Sequence, residues 1–156
     1  MKLTVHTYSE ADTVALGRRI GPILRAGDVI ALRGGLGAGK THFVQGVAKG
    51  MGIDAPVVSP TFSLMNCYDH IPPLQHFDFY RLETEAEIDT LGLEDYWDGG
   101  VSLVEWSEKF PGRLPVDAAV ITLQKMSDTE REITVEAAPD RWNDLMKEVE
   151  SYASRH

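Results

Sequence analysis

The chain has 156 residues, 43% of them apolar and 25% charged, which suits one soluble globular domain with a usable core. Its 15 Lys and Arg against 24 Asp and Glu leave a net charge of −9, the wrong sign for a protein that grips a nucleic-acid backbone by itself. No apolar run approaches bilayer length, Met1–His6 reads as a strand without the apolar core of a signal peptide, and the single cysteine, Cys67, permits no internal disulfide, so a cytoplasmic protein without membrane attachment is expected.

After that first strand, Ser9 is an N-cap candidate for a helix through about Leu24, with Leu16, Ile20, Ile23 and Leu24 on its apolar face. Val29-Ile30-Ala31-Leu32 is an unbroken apolar run, the signature of a strand buried on both faces. A glycine-rich loop follows, then a helix with Phe43, Val44, Val47, Ala48 and Met51 inward and Gly50 and Gly52 near its end. Two strands are expected over Phe62–Tyr68 and Leu74–Tyr80, joined as an antiparallel hairpin through Ile71-Pro72-Pro73. Glu83–Leu91 reads as a helix whose glutamates form a solvated face, and Val101–Val104 as a second buried strand. Ala119–Leu123 and Glu132–Glu136 suggest a closing strand pair, and the tail from Asp140 is amphipathic, with Trp142, Leu145, Met146, Val149 and Tyr152 on one side. Strands and helices mixed along one short chain predict a single three-layer α/β domain whose sheet is only partly parallel.

The chemistry centres on Gly34-Gly35-Leu36-Gly37-Ala38-Gly39-Lys40-Thr41, a complete G-x-x-x-x-G-K-[ST] loop between a buried strand and a helix. Glycines let backbone N–H groups curl around phosphate oxygens, and the helix N-terminus adds its dipole. Lys40 is expected to reach the β- and γ-phosphates, and Thr41 to offer its hydroxyl to Mg²⁺. His42 reads as a surface residue of the first turn whose backbone N–H helps bind.

Such a site needs an acid at a neighbouring strand end. Glu105, directly after Val101–Val104, fits that place; the alternative is a solvated carboxylate at a strand exit. Asp78 is the second acid. Alternation puts His76, Asp78 and Tyr80 on one strand face and Phe77 and Phe79 on the other. That polar face suits water positioning or metal contact, or else a hydrogen-bonded structural cluster. Trp106 is either core or an aromatic at the site mouth that stacks on adenine. Trp97 and Trp142 read as core or interface. His6, His70 and His156 lack metal-ligand spacing and receive no role.

Gly34–Thr41, Ser59-Pro60-Thr61-Phe62, His76–Leu82 and Glu105-Trp106, in that order and joined by Leu91–Tyr96, resemble the TsaE (YjeE) family, the small bacterial ATPases of tRNA threonylcarbamoyladenosine modification. The likeness runs from about Asp12 to Leu123. It implies a P-loop NTPase fold with a mixed parallel and antiparallel sheet, weak ATP hydrolysis in isolation, and work with the TsaB–TsaD pair. TsaD transfers the threonylcarbamoyl group to an adenosine beside the anticodon, and the ATPase supports repeated cycles. By position, the resemblance assigns phosphate binding to Lys40, Mg²⁺ to Thr41 and Glu105, and hydrolysis to Asp78. It places Trp106 by the base and Arg131 at a basic position that contacts nucleotide. Thr61 falls in a segment like the mobile switch of GTPases, or is a loop residue ordered by Pro60. Gly35, His42 and Ser107 stand where the family usually has Asp, Thr and Pro.

Three functions remain after this reading. One is an ATPase acting for the modifying complex, which would meet tRNA only through its partners. Another is a nucleotide-dependent binding module in which hydrolysis is incidental. The third is a small-molecule kinase, which lacks an arginine-rich lid here. The acidic balance either suits docking onto a basic partner protein or serves solubility alone.

Overall fold

The structure is a computed structural model and describes residues 1–155; His156 lies outside the described residues. One seven-stranded sheet organises them, with strands β1 (Lys2–Thr7), β2 (Val29–Arg33), β3 (Met65–Tyr68), β4 (Leu74–Asp78), β5 (Val101–Glu105), β6 (Ala119–Lys125) and β7 (Arg131–Glu136). Their spatial order is β1-β7-β6-β2-β5-β4-β3. The middle is parallel, β2 pairing with β5 and β6 and β4 with β5. Both flanks are antiparallel: β3 on β4, β7 on β6 and β1 on β7. The mixed sheet expected from the sequence is thus present, with the glycine-rich loop leaving its central strand.

Helices α1 (Glu10–Ile20), α2 (Lys40–Met51), α3 (Glu85–Leu91) and α4 (Asn143–Arg155) complete the layers. Alternation within the buried strands sends Ile30, Leu32, Val101 and Leu103 into a cluster with α1, α2 and α4. It sends Val29, Phe77 and Val104 into another with Ile88 of α3, Leu93 and Trp97. Trp97 and Trp142 are both core: Trp97 meets Phe77 edge to face at 5.1 Å, and Trp142 packs in the first cluster. Helices α1 and α2 touch backbone to backbone. A Cβ at Gly46 would lie 2.1 Å from the Val14 carbonyl oxygen, so only glycine allows this approach. The contact fixes the axis of α2, and with it the direction of its N-terminus.

Four expected boundaries move, each for a local reason. Ser9 does cap α1, its hydroxyl accepting from the Asp12 amide at 3.0 Å, but α-helix gives way to a 3₁₀ turn at Gly21-Pro22-Ile23. Helix α3 starts at Glu85 because Thr84 is its N-cap; the Glu87 carboxylate accepts from the Thr84 and Glu83 amides at 3.0 and 2.8 Å. Those amide donors hold the Glu87 carboxyl below its ordinary pKa. Strand β4 ends at Asp78, whose Oδ1 accepts from the Tyr80 amide at 2.8 Å and turns the chain. Strand β3 covers only the second half of the stretch expected for it, since residues 60–64 form a turn in which the Leu64 amide donates to the Pro60 carbonyl at 2.7 Å.

Candidate nucleotide-binding site

The glycine-rich loop leaves β2 and enters α2 with no side chain capping the helix, so the first-turn amides face open space. Gly34 has φ +146°, and a Cβ there would stand 2.5 Å from the Leu123 carbonyl oxygen, which ties the loop's first residue to β6. Arg131, the first residue of β7, grips the loop from the same side. Its Nε donates to the Ala38 carbonyl and its Nη2 to the Gly37 carbonyl, both at 3.1 Å. Nη1 donates to the Ser127 carbonyl at 2.8 Å, which fixes the guanidinium itself. From the other side, the Gly34 amide donates to Glu108 at 3.4 Å.

Lys40 is almost wholly buried. Its ammonium donates to the Gly34 carbonyl at 2.6 Å and lies 3.9 Å from the centre of the Trp106 ring. Burial pushes its pKa below the ordinary lysine value, against the attraction of Glu105, Glu108 and Asp78. A desolvated cation with free donors is a strong receptor for a polyanion.

Parallel pairing brings the acids to it. Asp78 and Glu105 are register partners on β4 and β5, and Leu32 of β2 is in register with Glu105 on its other side. Both carboxylates therefore emerge at one level, beside the loop that follows β2. Each is oriented by specific partners. Asp78 accepts from the Thr61 hydroxyl at 2.8 Å through Oδ2 and from the Tyr80 amide through Oδ1. Glu105 has one oxygen 2.5 Å from His76 Nε2, and His76 is fully buried.

These groups enclose one open cleft of about 360 Å³. Gly35, Leu36, Gly37, Ala38, Gly39, Lys40, Thr41, His42, Thr61, Asp78, Glu105, Trp106 and Arg131 all line it. The sequence-predicted residues thus converge on one place, although one helix, three strands and the loops at 35–39, 61 and 106 supply them. Two solvent-facing residues complete it: Ser59, hydrogen-bonded to Thr61 at 2.8 Å, and Glu10, 3.5 Å from His42.

The family model described as "Threonylcarbamoyl adenosine biosynthesis protein TsaE" matches residues 7–133 of the chain. The chain belongs to the TsaE family. It is 41% identical over 157 residues to the Bacillus subtilis protein named "tRNA threonylcarbamoyladenosine biosynthesis protein TsaE", covering 99% of this chain and 96% of that one. The protein of that name from Treponema pallidum is 40% identical over 128 residues, covering 81% of this chain and 95% of its own. Among solved structures, Bacillus subtilis YdiB superposes with a TM-score of 0.82 at 35% identity, over 97% of this chain and 96% of that one. The P-loop fold expected from the sequence is therefore the fold of this TsaE-family chain.

Geometry changes three of the site readings. The polar face of β4 does not open as a unit onto the cleft. Only Asp78 lines it; His76 is buried behind Glu105, and Tyr80 offers its backbone amide to Asp78 and its ring to Trp106, 4.9 Å between centroids. The Trp106 indole covers the Lys40 ammonium, a contact that neither the core reading nor the base-stacking reading gave it. Arg131 spends its donors on loop carbonyls, so it supports the phosphate loop in addition to lining the cleft. Glu108 escaped the sequence reading altogether, because only the 3₁₀ turn at Ser107–Lys109 brings it back to Gly34.

Proposed function

We propose that this TsaE-family chain is a single P-loop domain that binds ATP with Mg²⁺ and hydrolyses it weakly alone. In this reading it supports turnover of the TsaB–TsaD complex in threonylcarbamoyl modification of the tRNA adenosine next to the anticodon. The observation that carries it is the pairing of Asp78 and Glu105 in register on adjacent parallel strands, facing the desolvated Lys40. The loop amides and Lys40 hold the phosphates. Thr41 and Glu105 suit Mg²⁺, because a hydroxyl and a carboxylate are hard oxygen donors and His76 occupies only one Glu105 oxygen. The metal would neutralise phosphate charge there. Asp78 then orients the attacking water, and Thr61 senses the γ-phosphate through its bond to Asp78. The chain's charge of −9 favours meeting tRNA only through the protein complex. Cytoplasmic placement belongs to the same proposal; no helix among the described residues is long and apolar enough to cross a membrane.

The test is ATP hydrolysis with and without TsaB–TsaD, beside Lys40→Ala. Stimulation by the partners, and loss of at least about a hundredfold in the variant, is expected for removal of a phosphate-binding charge from a water-poor site. Lack of stimulation, with a variant as active as wild type, sinks the proposal.

The Thr61–Asp78 bond also favours a second reading, a switch whose loop docks onto a partner when ATP binds and whose hydrolysis is incidental. Under it, Asp78→Asn still binds ATP and still supports many rounds of tRNA modification.

A further inference from the structure

The turn that bonds to Asp78 also shapes a surface outside the cleft. Thr61 donates its hydroxyl to the Asp78 side chain, and the Leu64 carbonyl accepts from the Asp78 amide at 2.9 Å. Between these two anchors Phe62 projects into solvent, 85% exposed. Leu64 turns inward and, with Ala86, Glu87, Thr90 and Leu91 of α3, lines an open, mostly apolar groove of about 450 Å³. Leu91 at the end of α3 is 48% exposed. Large exposed apolar side chains gathered at one groove mark a recognition surface more often than scattered ones do.

Charge around the groove is mostly acidic, although Arg81 lies over the Phe62 ring at 4.8 Å and Lys109 donates to the Leu82 carbonyl at 2.5 Å. Residues 83–98 carry Glu83, Glu85, Glu87, Asp89, Glu94, Asp95 and Asp98, and no lysine or arginine occurs from Leu82 to Glu108. Arg113 pairs with Asp89 and Glu94, so the acidic excess comes from Glu83, Glu85, Glu87, Asp95 and Asp98. An apolar groove rimmed by carboxylates selects a partner with the reverse pattern, a bulky apolar side chain flanked by lysine or arginine.

We propose that this groove docks such an apolar, basic-flanked protein segment on the TsaB–TsaD complex, an inference that rests on the partnership proposed above. Leu91 and Leu64 supply the apolar anchor site, and the acids of α3 steer and align the segment. The groove responds to nucleotide because its Leu64 wall hangs from the backbone of Asp78, whose carboxylate lines the cleft.

Binding of the full chain to purified TsaB–TsaD, measured with ATP and Mg²⁺ present, tests it. Leu91→Lys is expected to weaken binding by about tenfold or more, the scale of a central interface residue, while a fluorescent ATP analogue binds as in wild type. Glu83→Lys combined with Glu85→Lys weakens binding and flattens its dependence on salt. Val116→Lys, at an exposed position outside the groove, leaves it unchanged. Leu91→Ala serves as a milder variant should Leu91→Lys lose nucleotide binding. Groove variants that bind TsaB–TsaD as tightly as wild type overturn the docking surface and leave the proposed function standing. A wild-type chain that does not bind TsaB–TsaD overturns both.

Discussion

Two loops face each other across the cleft, and they are held in opposite ways. The phosphate loop, 34–39, is fastened along its own length: by Arg131, at the cleft wall, on its carbonyls, by Glu108 on the Gly34 amide and by the Gly34 approach to β6. The facing loop, 58–64, is held at its outer end by Tyr68 on the Val58 amide and Asn66 on the Val58 carbonyl, and on the cleft side by Asp78, which accepts from the Thr61 hydroxyl and donates its amide to the Leu64 carbonyl. Leu64 is also held at φ 69°, a conformation that costs a branched residue about 1–2 kcal/mol and persists only while its anchors do. A loop fastened elsewhere stays formed whether or not ligand is present. A loop fastened to a reacting group moves when that group changes partners. Under the proposed function, one half of the cleft is therefore a receptor and the other a reporter.

The sharpest way to break this contrast is Asp78→Asn. The amide keeps the size of the carboxylate and loses its charge. Hydrolysis is expected to fall by about a hundredfold or more, as when a general base or water-orienting group is removed, while ATP affinity changes little. The facing loop should loosen as well, read as faster amide hydrogen exchange over 58–64 with no change over 34–39. Equal protection of both loops in wild type and variant would show that the charge on Asp78 is not what fastens the facing loop, since the amide oxygen still accepts from Thr61 and the backbone bond to Leu64 remains.

Arg131→Ala attacks the receptor half. It deletes the two bonds to loop carbonyls, each worth about 1 kcal/mol net. ATP affinity is expected to drop about tenfold, measured by titration, with hydrolysis at saturating ATP nearly unchanged. Arg131→Lys recovers little, because one ammonium cannot span two carbonyls as the fork does. A fall in the saturated rate without a change in affinity would reassign Arg131 to the chemistry.

The receptor half was the more legible of the two in the sequence. Its spacing is local, and the strand and helix around it declare themselves by an unbroken apolar run and a helical period. Asp78 and Glu105 were legible as strand-end acids, but their register pairing was not, since nothing in either segment says which strand lies beside it. The supports were illegible for the same reason. Arg131 stands more than 90 residues from the carbonyls it holds, and Glu108 reaches Gly34 only after a 3₁₀ turn. Residues 62–64 of the facing loop read as the start of a strand because Phe62 and Leu64 look like buried alternating residues. The pull of Thr61 onto Asp78 turns the chain before pairing can start.

Gly35→Asp carries the smallest expected effect and separates the two halves most cleanly. Gly35 departs from the family's usual residue inside an otherwise complete loop, but it is not there for want of room. A Cβ at this position meets nothing within 4 Å, and its φ lies outside the left-handed region, unlike those of Gly34, Gly37 and Gly39. An aspartate therefore fits without strain, and stability should stay within about 0.5 kcal/mol of wild type, the usual range for exposed positions. The added carboxylate lies in a cleft that already holds Asp78 and Glu105. It repels ATP without metal and is compatible with ATP·Mg²⁺, so ATP affinity should fall a few-fold in chelator and remain level with Mg²⁺, while exchange over 58–64 stays as in wild type. If that exchange changed instead, a charge at the outer edge of the phosphate loop would be reaching the facing loop without passing through Asp78, and the division between receptor and reporter would not hold.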